Sequence, residues 1–183
     1  MHRNPLKKLL SSYQATSEED FSIFNRFRDF INSNSLCFSR SLTSGHVTGS
    51  AWIVDKKRRF ALFAHHKKLD MWLQLGGHCD DDPNVYSVAL KEAEEESGLL
   101  SIHPISVEIF DLDIHTIPKR KKEGAHDHYD ARFLFEADRS EKLTLSEESK
   151  ELAWIEIDKI EEYTKEPSIL RMAEKTKTLF CSV

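Results

Sequence analysis

A chain of 183 residues, 39% hydrophobic and 31% charged, has room for one domain with a substantial core and falls among globular rather than disordered or membrane-spanning sequences. Its formal net charge of −5 at pH 7 offers no broad basic surface for nucleic acid, and its apolar runs, such as residues 60–64 and 133–135, are strand-sized and far short of a membrane span. The first ten residues lack the apolar stretch of an export signal, and Cys37, Cys79 and Cys181 are too scattered for a disulfide framework, so a reducing, cytoplasmic setting is expected.

Ser17 stands before Glu18, Glu19 and Asp20, and Phe21, Phe24, Phe27, Phe30 and Ile31 follow at helical spacing. This predicts an amphipathic helix with a capped, acidic first turn. After Asn32-Ser33-Asn34-Ser35 the pattern changes to short strand-like stretches at residues 49–54, 60–64 and 71–75, which marks a boundary. Residues 1–40 are accordingly read as an N-terminal helical extension and residues 41–183 as the main domain. The Phe-rich face of the extension needs cover, either from its own domain or from a second copy of the chain in a homodimer.

A Glu-rich helix over about residues 83–97 comes next, then a strand over residues 106–117. A second strand is expected where Tyr129, Ala131, Phe133 and Phe135 alternate with His128, Asp130, Arg132 and Leu134, and the two strands can pair as a hairpin. Pro118 and Gly124 bound the charged loop between them, and both are chain breakers. A last helix includes residues 168–179. The order of elements predicts a mixed α/β architecture.

The chemistry concentrates in the Glu-rich helix and its entry. Asp82 is placed to cap the helix, Pro83 suits its first position, and Gly98 suits the left-handed position after its end. Val85, Val88, Ala89 and Ala93 form an apolar stripe, which should face the sheet. Glu92 and Glu96 stand four apart on an adjoining stripe, and Glu94 and Glu95 lie between them. Four carboxylates crowded at the negative end of a helix repel one another by roughly a few tenths of a kcal/mol per neighbouring pair and oppose the helix dipole. A hard divalent cation reverses that sign, because it gathers carboxylate oxygens at this spacing.

The same stretch resembles the Nudix box, G-x5-E-x7-R-E-U-x-E-E-x-G-U with U aliphatic. Gly77 opens it, Lys91-Glu92 stands for Arg-Glu, Glu95-Glu96 fills the paired acids, and Gly98-Leu99 closes it. Pro83 and Lys91 depart from the pattern, in place of the first Glu and the Arg. Lysine keeps the charge of arginine but not its planar fork. The resemblance extends over roughly residues 45–160 and implies a Nudix-type α/β/α sandwich with a mixed sheet. It also implies a pyrophosphohydrolase that needs Mg²⁺ or Mn²⁺ to cleave a phosphoanhydride bond in a nucleoside diphosphate linked to another moiety. Glu92 and Glu96 are then the first metal ligands, with the Gly76 carbonyl as a further oxygen. Glu95 would bind a second metal or orient water. Glu148, ahead of Glu147 and Glu151, is the candidate general base, although these acids could equally be a solvated helix start capped by Ser146.

Other residues are weighed against plainer roles. His115, His126, His128 and Asp130 could suggest zinc, but without a fixed ligand spacing the histidines are read as substrate-facing or simply polar. Arg132 and His128 are taken as substrate contacts, and residues 119–122 as a basic run that is either solvated or phosphate-attracting. Cys79 beside the Gly-Gly turn suggests an isopentenyl-diphosphate isomerase-like enzyme, though an inert thiol fits better. A non-catalytic Nudix-fold module, binding a nucleotide or a protein, is the remaining alternative. Such a module has no need to hold Glu92, Glu95 and Glu96 against their mutual repulsion.

Overall fold

The computed structural model describes residues 2–119 and 124–180. Arg120, Lys121 and Lys122 of the basic run, and Cys181, lie outside the described residues. Among the described residues four α-helices are present, α1 (Asn4–Ser12), α2 (Glu18–Ser33), α3 (Val85–Ser97) and α4 (Pro167–Phe180), with a 3-10 helix over Ile157–Glu162 before the last. Seven strands accompany them: β1 (Gly45–Asp55), β2 (Phe60–His66), β3 (Met71–Leu73), β4 (Leu75–His78), β5 (His103–Ile117), β6 (His126–Ala137) and β7 (Ser149–Glu156). They pair in the order β3-β2-β1-β6-β5, with β4 also on β1 and β7 also on β2. This is the α/β architecture expected. No helix of the described residues is long and apolar enough to cross a membrane.

Two compact units divide the chain, and β1, β4, β5, β6 and α3 contribute residues to both. The first unit comprises residues 1–50, 77–89 and 106–133. Here Ser17 caps α2 by accepting the Asp20 N–H at 3.1 Å, and Phe27, Phe30 and Ile31 are buried. Phe30 stacks on Tyr129 of β6 with ring centroids 3.7 Å apart, and Phe27 meets the same ring edge-on. Phe27, Phe30 and Ile31 of the N-terminal segment are therefore covered by its own chain, while Phe21 stays exposed. Gly49 of β1 lets α3 come close: a Cβ there would lie 2.7 Å from the Val85 carbonyl oxygen and 3.2 Å from the Ala89 nitrogen.

The second unit comprises residues 51–76, 90–105 and 134–183. Its β2 pairs antiparallel with β7, Phe63 opposite Ala153, and with β3, His65 opposite Trp72. Trp52 is fully buried, and its indole N–H donates to Thr176 Oγ1 of α4 at 2.9 Å, which satisfies the one polar atom such a side chain carries into a core. The strand expected over residues 71–75 is broken at Gln74, β3 pairing with β2 while β4 pairs with β1.

Helix α3 starts two residues later than its sequence signals suggest. Asp82 accepts the Asn84 N–H at 2.8 Å, and Asn84 in turn accepts the Ser87 N–H at 3.3 Å. The cap is thus Asn84 and not Asp82, and Pro83 lies in the entry turn. A side-chain oxygen bonding the third amide of the helix is the usual capping geometry, and Asn serves it as well as Asp. At the other end Gly98 adopts φ 69, the left-handed stop read from the sequence. Val85, Val88, Ala89 and Ala93 are all buried.

Candidate active site

In the second unit the carboxylates gather around Glu96. This side chain is part-buried and accepts the Gly76 N–H at 3.1 Å. Burial pushes its carboxyl up to about 7; the Gly76 amide works against that rise, and the charges of Glu92 and Glu148 add to it. Glu92, one helical turn before Glu96, and Glu148, in the turn before β7, therefore both bear on the same group. Gly76 itself has φ 155, a conformation that favours glycine.

Glu95 faces elsewhere. It is exposed and pairs with Lys91 at 3.5 Å, a contact of neighbours four apart on one helix face. Glu147 and Glu148 do not begin a helix. They form a turn whose carbonyls are held by Lys67, Nζ to Glu147 at 2.7 Å and N–H to Glu148 at 2.9 Å. Trp72, half-buried, stacks on His65 at 4.9 Å. A cavity of about 390 Å³ between the 3-10 helix and α4 is lined by residues such as Ile160, Leu170 and Lys177 and by none of these acids.

Arg132 and His128, read from the sequence as substrate contacts, lie in the first unit, Arg132 buried and His128 part-buried. Arg132 is only 2% exposed. Its guanidinium bonds Asp130 at 2.8 Å, Asp111 at 3.2 Å and Asp113 at 3.2 Å, and Asp130 also accepts the hydroxyls of Thr48 and Ser50. The strand that carries it is buried on both faces from Asp130 to Phe135, so the apolar-polar alternation was not a map of inside and outside. This arginine is a structural cation.

His128 belongs to a group the sequence did not reveal. Its ring lies 4.9 Å from that of His46, 5.0 Å from His78, 5.2 Å from His126 and 5.4 Å from His115. Because β1 pairs with both β4 and β6, and β6 with β5, residues far apart in sequence meet on neighbouring strands. Neither ring nitrogen of His46, nor Nε2 of His128, finds a hydrogen-bond partner among the described residues, and all three atoms are buried. An unmet buried polar group costs about 1–3 kcal/mol. Burial, with the neighbouring histidines, lowers His46 to about 4 and His128 to about 2, so both imidazoles are neutral. His46 and His78 carry no sequence signal beyond their type; only the strand order brings them to His128.

Cys79 is buried and free. Burial raises its thiol, and Asp130 and Asp82 add to the effect, so it is no thiolate at neutral pH, which removes the feature that pointed toward the isomerase-like alternative.

A family model described as the NUDIX domain matches residues 45–175, most of the chain. No curated protein matches. Among solved structures, a NUDIX-family hydrolase from Clostridium perfringens is 25% identical with a TM-score of 0.54, covering 73% of this chain and 97% of its own. An Ap4A hydrolase of C. elegans is 14% identical with a TM-score of 0.57, covering 75% of this chain and 98% of its own. The dihydroneopterin triphosphate pyrophosphohydrolase of E. coli is 13% identical with a TM-score of 0.57, covering 75% of this chain and 96% of its own. With a family match that takes in the box, its flanking strands and most of the chain beyond them, the protein belongs to the NUDIX family and is a hydrolase of that family.

Proposed function

We propose that this protein is a Mg²⁺- or Mn²⁺-dependent pyrophosphohydrolase that cleaves a phosphoanhydride bond in a nucleoside diphosphate linked to another moiety. The observation that carries the reading is the state of Glu96: a part-buried carboxyl raised to about 7 by burial and by the Glu92 and Glu148 charges. An all-carboxylate donor set of this kind fits a hard, oxygen-seeking dication, and it suits softer metals poorly. When bound, the cation would neutralise the diphosphate and stabilise charge developing on the leaving oxygen.

The chain's own residues divide the remaining work. Glu92 and Glu96 hold the cation, and the Gly76 amide fixes the orientation of Glu96. Glu148 is assigned as the general base that takes a proton from the attacking water; its influence on Glu96 supports a position within reach of the reaction. Glu95, paired with Lys91 in the free protein, is assigned as an auxiliary carboxylate that binds a second cation or orients water. Lys91 supplies the neighbouring positive charge that arginine supplies in the family pattern. The Ap4A and dihydroneopterin triphosphate enzymes named among the structural neighbours act on polyphosphate compounds by their names, which supports a phosphoanhydride as the bond cut.

The test is chromatography of products from a panel of nucleoside diphosphate-linked compounds with Mg²⁺. Release of a nucleoside monophosphate, abolished by chelation and reduced on the order of a hundredfold or more in a folded Glu96→Gln variant, is expected. Undiminished turnover in that variant would remove the proposed site. Ligand binding with no turnover across the panel would make the protein a binding module.

A further inference from the structure

Three strands of the first unit bring together histidines that the proposed hydrolysis does not use. His46 of β1, His78 of β4 and His128 of β6 each offer a ring nitrogen, and these atoms all lie within 4.8 Å of one another. We propose that His46, His78 and His128 form a binding site for a transition-metal dication of the zinc type, with an open coordination position. The proposal does not rest on the reading of the carboxylates.

The donors have the character such a metal selects. Imidazole nitrogens suit zinc, nickel and copper, whereas magnesium and calcium take oxygens. Zinc–nitrogen bonds of about 2.0–2.1 Å in a tetrahedral arrangement place the ligand atoms roughly 3.4 Å apart. The present spread needs a contraction of roughly an ångström or so at its longest edge, within reach of imidazole rotations at χ1 and χ2. Two observations argue that something should sit there. His46 is 3% exposed, yet neither of its nitrogens has a partner among the described residues, and buried Nε2 of His128 is in the same condition.

Two further histidines with fixed partners border the group. His115 Nδ1 bonds Asp113 at 3.0 Å, and His126 Nδ1 bonds the Gly124 carbonyl at 2.9 Å. Carboxylate and carbonyl partners fix the tautomer of a histidine and raise its basicity. The rings so fixed lie against His128, and His126 also lies against His46 at 5.0 Å. Asp80, paired with Arg40, also acts electrostatically on His46 and His78. Three histidines with an open position describe a site able to bind water or an anionic ligand, and a fully closed structural site would need a fourth ligand.

The experiment is calorimetric titration of Zn²⁺ into tag-free, chelator-stripped protein in millimolar Mg²⁺, with the optical spectrum of the Co²⁺ form as a second readout. One equivalent of tight binding and a tetrahedral cobalt spectrum are expected. His78→Gln and His128→Gln should each weaken binding by at least the roughly ten- to hundredfold that loss of a mere orienting partner costs, while Glu96→Gln leaves it unchanged. His78 is only part-buried, so its variant keeps the test readable if replacement of His128 disturbs folding. Absence of stoichiometric binding in the wild type overturns the proposal, and so does binding that survives both histidine changes or disappears with Glu96→Gln. Failure of the hydrolase reading would instead appear in the turnover assay.

Discussion

Arg132 enters the interior of β6 surrounded by Asp111, Asp113 and Asp130, all at least nine-tenths buried. One guanidinium among three carboxylates leaves negative charge over, and hydrogen bonds from Thr48, Ser50 and His115 take up part of it. A buried ion pair of this type adds little over an apolar core of equal shape, but removing one partner strands the others. Arg132→Met should therefore cost about 3–5 kcal/mol in urea denaturation, and an unchanged midpoint would show that the aspartates do not depend on it. Glu96 presents the opposite case, a carboxyl whose ionised form is resisted by its surroundings in the free protein. Glu96→Gln keeps an oxygen for the Gly76 amide and sheds the charge, so this variant should fold as well as the parent while losing turnover.

At the scale of elements, α3 is fixed by its ends and by one close approach. Its exit glycine and its apolar stripe were legible in the sequence because each rests on local geometry: φ 69 at Gly98 and burial of Val85, Val88, Ala89 and Ala93. Its start lies two residues beyond the expected one because Asp82 and Asn84 are equally good caps, and nothing local says which one bonds the third amide. Gly49 is legible in the sequence only as a strand residue, yet it sets the distance between β1 and α3. A Cβ there would meet backbone atoms of Val85 and Ala89, which cannot rotate away. Gly49→Ala should lower stability by about 1–3 kcal/mol, the usual cost of overpacking, read as a drop in Tm; an unchanged Tm would mean the helix moves off freely. The interior of β6 was illegible for a different reason. Alternation marks a strand with one wet face, and this strand has both faces covered.

Across the whole molecule, one short chain carries two sets of donors with different tastes. The carboxylates of Glu92, Glu96 and Glu148 belong to the second unit and the imidazoles of His46, His78 and His128 to the first. In the first set Glu92 and Glu96 could be read from spacing along one helix, since residues four apart share a face, whereas Glu148 lies in the turn before β7. The second could not, because its members reach one another only through the pairing of β1 with β4 and β6. The family match makes the protein a NUDIX hydrolase, and the raised Glu96 carboxyl supports the proposal that a divalent cation serves it. Its most direct test is titration of Mn²⁺ into metal-free protein, tracking the electron paramagnetic resonance signal of the free ion in the parent and in a Glu92→Gln, Glu96→Gln double variant. The account predicts that the parent removes free Mn²⁺ from solution, that Mg²⁺ competes for the same sites, and that the double variant leaves the signal undiminished. Equal uptake by both proteins, or no uptake by the parent, would contradict it.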